Sequence, residues 1–256
     1  MGKCEVMDIK MNILAFEVTR RCNQSCAHCC KGPSQNIDMS KECIDSLFRN
    51  DHYKISQISY MAITGGETTL VPSLITYLID TIIELDIAIT RGVNCFTNGL
   101  LYEQDIIDSL QKLMKHLKQK KESQNVNLVF EVSNDQFHKR PSKEILEKYA
   151  KVPFLDKSFL KPRTRTIERT QNDGNAKENG IGGILTYRDF LKDISIKREK
   201  SILYVDGEIL IAANGNVIGV GCAPFIEEDK ISLGNISNNS LLEILEKPSL
   251  KEKTNV

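Results

Sequence analysis

Short apolar runs alternate with helical stretches through the first half of the chain. Residues 13–18, 58–63, 92–97 and 126–132 have strand character. Between them, apolar residues recur at helical spacing. Ser40 is placed to cap a helix carrying Cys43, Ile44, Leu47 and Phe48 on one face. Pro72 suits the first turn of a second helix, with Leu74, Ile75, Leu78, Ile79 and Ile82 inward. Ile106, Ile107, Leu110, Leu113, Met114 and Leu117 mark a third, and Ile145, Leu146 and Tyr149 a fourth. Strand and helix alternating in this way predict an α/β fold with a parallel sheet. Residues 163–169 read as a fifth strand, and residues 172–183 as a polar, glycine-rich loop.

The character changes beyond residue 200. Residues 202–205, 208–213 and 217–220 read as short strands, with Asp206-Gly207 and Asn214-Gly215 as hairpin turns between them. Residues 240–246 suggest a closing helix. The organisation expected is an N-terminal tail at 1–9, a core at 10–195 and a small β-rich extension at 196–256.

Charge narrows the class of partner. The chain has 34 Lys and Arg against 34 Asp and Glu, so its formal net charge is zero. With no Trp and few aromatics, neither nucleic acid nor an anionic membrane is expected as a partner. Neither a secretory leader nor a bilayer-spanning stretch is read from the sequence, so a cytoplasmic location is expected. In that compartment clustered cysteines more often bind metal or do chemistry than form disulfides.

The chain has eight cysteines, and four of them fall in one segment: Cys22-Asn23-Gln24-Ser25-Cys26-Ala27-His28-Cys29-Cys30. Cys22, Cys26 and Cys29 can hold three irons of a cubane and leave the fourth iron open. An open position separates a catalytic metal from a structural one. Cys30 reads as a neighbour whose side chain points away. The competing reading is zinc, with His28 or Cys30 as the last ligand. Zinc knuckles usually pair two halves, and Cys4, Cys43, Cys95 and Cys222 are isolated in sequence.

Residues 17–29 resemble the signature of the radical S-adenosylmethionine (SAM) superfamily, including the Cys-x3-Cys-x2-Cys spacing. Thr64-Gly65-Gly66-Glu67-Thr68 is similar to its Gly-Gly-Glu-Pro motif, with Thr68 in place of proline. Thr97-Asn98-Gly99 and Ser133-Asn134-Asp135-Gln136-Phe137-His138 match further stations, and Gly174-Asn175-Ala176 resembles a Gly-Arg-Ala station with Asn175 replacing arginine. The first four groups follow successive strands, so they share the face on which barrel enzymes assemble their sites.

The resemblance implies an incomplete (β/α)6-type TIM-like barrel and two cofactors, a 4Fe–4S cluster and SAM. It implies that Cys22, Cys26 and Cys29 ligate the cluster. His28 fills a position often aromatic in the family. Gly65 and Gly66 let backbone approach the methionine part of SAM, and Glu67 accepts a hydrogen bond from its ammonium. Ser133 and Asp135 serve the ribose, and Asn98 binds cofactor or braces the loop. Arg163, Arg165 and Arg169 are the candidates to replace the missing arginine. An external one-electron donor of flavodoxin or ferredoxin type reduces the cluster. The sulfonium bond then breaks, and a 5′-deoxyadenosyl radical takes a substrate hydrogen.

Residues 204–245 resemble the start of a SPASM-type extension, with Cys222 and Gly234 in place but Asn239 where a cysteine is expected. That extension implies a peptide or protein substrate, modified by crosslinking or epimerisation. The alternatives are a small metabolite or nucleotide substrate, and a non-catalytic zinc or iron–sulfur module. Cys222 is the candidate hydrogen donor to a substrate radical. His52 and His116 have no partner pattern.

Overall fold

The computed structural model describes residues 6–155, 157–190 and 194–247. Residues 1–5 of the expected tail and 248–256 of the expected extension lie outside the described residues.

Four strands follow the four apolar runs: β1 (Met7–Glu17), β2 (Tyr53–Thr64), β3 (Ala88–Thr97) and β4 (Asn127–Val132). They pair as neighbours in sequence order, and every pairing is parallel. β1 starts at Met7, so residues 7–9 are strand and not tail. Met7, Ile9 and Met11 are buried and alternate with polar residues, which is the period of a half-covered strand.

The helices form where their apolar stripes predict. In α1 (Lys41–Phe48) the Ser40 side chain accepts a hydrogen bond from the Cys43 amide. α2 (Pro72–Glu84) begins on its proline, and α3 (Gln104–Leu117) buries Ile106, Ile107, Leu110, Leu113 and Leu117. α4 (Lys143–Tyr149) is capped by Ser142. These stripes join Leu14 and Phe16 of β1 in the main core. Ile13 and Ala15 sit between those residues in sequence, so they face the opposite side of the sheet, where they line a cavity.

The segment after residue 194 supplies the rest of the sheet. β5 (Ser195–Glu199) pairs antiparallel with β6 (Ile202–Ile211), which lies parallel to β1 on its free edge. β7 (Asn216–Ile218) and β8 (Ser232–Asn235) continue antiparallel, giving the order β4-β3-β2-β1-β6-β7-β8. No pairing joins β4 to β8 among the described residues. The expected incomplete barrel is therefore an open sheet, five strands parallel and the rest antiparallel.

Two expectations are corrected. Residues 163–169 are not a strand. They make one parallel bridge, Asp135 to Arg163, and then a 3-10 turn at Ile167–Arg169. The segment is polar and exposed, with no apolar face to cover a sheet. Asp206-Gly207 is not a hairpin turn. Met11 pairs with Val205 and Ile13 with Glu208, so two residues of β6 bulge opposite one of β1. Gly207 takes a positive φ of 105° there. Asn214-Gly215 does turn the chain from β6 into β7, with Gly215 at φ 84°.

Three short helices complete the fold: α5 (Gly174–Glu178), α6 (Glu228–Ile231) and α7 (Leu241–Leu245). Ser240 and Glu243 form a reciprocal capping box on α7. Ser240→Ala should cost about 1 kcal/mol, read by urea denaturation. An unchanged midpoint would mean that the box contributes nothing. Among the described residues no helix is long and apolar enough to cross a membrane.

Candidate functional site

A cavity of about 910 Å³ opens on the face of the sheet away from the main helices. Cys22, Cys26, His28 and Cys29 from the loop after β1 lie on its wall. Gly65 and Gly66 after β2, Asn98 after β3 and Ser133 after β4 join them. Cys222 lines the same cavity from the segment after β7. The structure thus brings together nine of the eleven sequence-predicted site residues. Glu67 and Asp135 stand behind the wall.

The loop after β1 is clamped by backbone. Gly66 donates to the Thr19 carbonyl at 2.7 Å and Glu67 to the Arg21 carbonyl at 2.8 Å. A Cβ on Gly65 would lie 2.4 Å from the Thr19 carbonyl oxygen, and one on Gly66 would lie 2.2 Å from that of Arg21. The space that these glycines free is therefore filled by the cysteine segment itself. Gly66→Ala should destabilise the protein by about 1–3 kcal/mol, the usual cost of overpacking. It should also lower the iron retained after anaerobic reconstitution. Wild-type melting and iron content would contradict the clamp.

The Glu67 carboxylate has partners other than the expected ammonium. It is 1% exposed. It accepts hydrogen bonds from the Thr69 amide and hydroxyl, the Thr97 hydroxyl and the Asn98 amide, at 2.6 to 3.0 Å. This ties the end of β2 to the end of β3 directly under the cysteines. Asn98 braces the loop: its amide nitrogen donates to the Asn23 side chain at 2.7 Å and lies 3.8 Å from the Cys22 sulfur.

The Gly-Asn-Ala station supports the same loop from the other side. Asn175 donates from its backbone to the Cys29 carbonyl and from its side chain to the Cys26 carbonyl. Asn179 reaches the Ala27 carbonyl. A Cβ on Gly174 would lie 2.5 to 2.7 Å from the backbone of Cys29, Cys30 and Gly32. The expected polar loop at 172–183 thus contains α5, which seats the cysteine segment.

Asp135 is not part of the cavity lining. Its carboxylate binds the Phe137 amide, His138 Nδ1 at 2.7 Å and Arg165 Nε at 3.4 Å. His138 and Arg165 line the cavity instead, with Arg169 beside them, while Ser133 keeps its place on the wall. His28 stacks on Phe137 at 4.8 Å and meets His138 edge-on at 4.8 Å. Burial, and then His138, push His28 down to about 4, so its ring is neutral near physiological pH. Donor atoms of His28, Asp135 and His138 lie within 4.8 Å of one another.

Cys222 is not the isolated residue that the sequence suggests. It is joined to Cys30 by a disulfide spanning 192 positions. Cys30 is therefore no cluster ligand in this form, but it does line the cavity. Cys22, Cys26 and Cys29 are unbonded and half-buried. Burial raises the Cys22 thiol, and burial followed by the charges of Cys22 and Cys29 pushes Cys26 up to about 12. The three thiols are near enough to repel one another as thiolates. That donor set fits a cationic iron cluster, which stabilises grouped thiolates.

A buried charge network anchors the loop to the C-terminal segment. Lys31 contacts Glu17 at 2.7 Å and Glu228 at 3.3 Å. Arg20 contacts Glu17 at 2.9 Å and pairs with Glu228. Phe225 lies under both cations. Burial raises the Glu17 carboxyl, but Lys31 and then Arg20 bring it below its ordinary value. Sequence reasoning missed this network: Lys31 and Glu228 are 197 positions apart, and no local pattern signals such a contact. His138 lies inside the 133–138 station but was given no role of its own.

No family model matches the chain, and no curated protein matches it. Among solved structures it is similar to anSMEcpe with bound AdoMet: 14% identity, 95% of this chain, 79% of that chain, TM-score 0.47. It is similar to anSMEcpe with AdoMet and the Cp18Cys peptide: 14% identity, 96% of this chain, 84% of that chain, TM-score 0.46. For Streptococcus suis SuiB bound to precursor peptide SuiA the values are 12% identity, 96%, 67% and TM-score 0.45.

Proposed function

We propose that this chain is a radical SAM enzyme acting on a peptide or protein. The observation that carries the reading is three unbonded cysteines on one cavity wall. They sit in a loop clamped by Gly65–Glu67, Asn98 and α5. Cys22, Cys26 and Cys29 would hold a 4Fe–4S cluster, with SAM at its open iron. When bound, this pair supplies the 5′-deoxyadenosyl radical that removes a substrate hydrogen atom.

The chain's own residues hold and orient. Gly65 and Gly66 fix the loop, and Glu67 locks the ends of β2 and β3 beneath it. Ser133 and His138 face the cavity where the ribose is expected, with Asp135 orienting the His138 ring through Nδ1. Arg165 and Arg169 line the cavity and would serve an anionic part of SAM. The sheet floor, with Ile13, Ala15, Ala62 and Phe96, gives the cavity an apolar base. The peptide reading draws on the SPASM-like segment and the open cavity that it helps to wall.

Cys222 belongs to this reading in its reduced form. Its S–H hydrogen atom passes to a substrate radical and leaves a thiyl radical on Cys222. In the disulfide form there is no S–H to give, so the donor role requires the Cys30 bond to be reduced first.

The ligand assignment is tested by substitution. Cys22→Ala, Cys26→Ala and Cys29→Ala should each lose the visible absorption of the anaerobically reconstituted protein, and Cys30→Ala should keep it. Equal loss from Cys30→Ala would overturn the ligand set.

A further inference from the structure

We infer that Glu208 is a recognition site for an aliphatic cation, the side chain of a lysine or arginine in the substrate. The inference rests on the cavity being the substrate cavity of the proposed enzyme. Glu208 lies on β6 and lines the cavity in the same face as Ile13 and Tyr60. Its carboxylate is seated over Gly221: a Cβ there would lie 2.1 Å from Oε1 and 2.9 Å from Cδ. Gly221 thus makes room for a carboxylate held beside Cys222.

The other acids around this site are committed, apart from Glu168, which lines the cavity from the exposed turn at Ile167–Arg169. Glu17 and Glu228 pair with Arg20 and Lys31, Glu67 is bound by four donors, and Asp135 is held by His138 and Arg165. Glu208 is different. Among the described residues it has neither a hydrogen-bond donor nor a Lys or Arg within ion-pair distance. A half-buried carboxylate over an apolar floor gains from a cation that enters the cavity.

The floor beside it suits the stem of such a side chain. Ile13 is the register partner of both Glu208 on β6 and Tyr60 on β2, so the three form one row across adjacent strands. That row is about 10 Å long at the usual strand spacing. Methylenes lying over Ile13 would leave the cationic head at Glu208, with Tyr60 covering the backbone end.

The test uses the anaerobically reconstituted protein with SAM and two probes, Nα-acetyl-lysine N-methylamide and its neutral isostere Nα-acetyl-norleucine N-methylamide. Binding is followed by saturation-transfer NMR. The lysine probe should bind roughly tenfold more tightly, the low end for a hydrogen bond between charged groups. Glu208→Gln should abolish that preference without lowering the melting temperature, and Glu208→Asp should retain part of it. Equal binding of the two probes, binding of neither, or a preference surviving in Glu208→Gln would overturn the inference. Iron content and SAM cleavage report separately on the enzyme class. A lysine preference in an iron-free protein would refute the class and leave the cation site standing.

Discussion

Glu228→Ala should destabilise the protein by about 3–5 kcal/mol, the range for breaking a buried ion pair from one side. The size follows from what remains. Glu228 is fully buried, and its loss leaves Arg20 and Lys31 with only Glu17 between them. One positive charge is then left uncompensated among largely buried groups. The effect should extend to the cysteine segment, because Lys31 is two residues from Cys29. Chemical denaturation reads the first effect, and iron bound after reconstitution reads the second. A loss below about 1 kcal/mol, the range of a surface pair, would show that the network is hydrated.

The second large effect concerns Cys26. Cys26→Ala removes the middle one of the three proposed ligands and should abolish stoichiometric iron binding. The fold should survive, since the loop is also held by Gly66, Asn98 and Asn175 through bonds that do not involve the Cys26 sulfur. Far-ultraviolet circular dichroism should stay unchanged while the iron content collapses. Iron bound as in the wild type would mean that another side chain, His28 or Cys30, takes the position.

The parallel core was legible because its strands and helices are written in short-range periodicity. Leu74 to Ile82 name one face of α2, and the alternating residues of β1 name one face of the sheet. That Cys22, Cys26 and Cys29 share one wall was legible from their spacing. What escaped was set by contacts distant in sequence. Cys222 bonds to Cys30, Glu228 neutralises Lys31, and β6 runs parallel to β1 along its free edge. Asp206-Gly207 misled for a different reason. The same dipeptide serves a tight turn or a bulge, and only the register with β1 decides between them. Gly65 and Gly66 were found at the right place, but the close approach that they permit is to the Thr19–Arg21 backbone.

The central claim is that this cavity cleaves SAM reductively. The direct measurement is anaerobic reconstitution with iron and sulfide, followed by SAM and dithionite, with 5′-deoxyadenosine quantified by mass spectrometry. The account predicts 5′-deoxyadenosine from the wild type and none from Cys22→Ala, Cys26→Ala or Cys29→Ala. A colourless protein holding one zinc per chain and yielding no 5′-deoxyadenosine would contradict it.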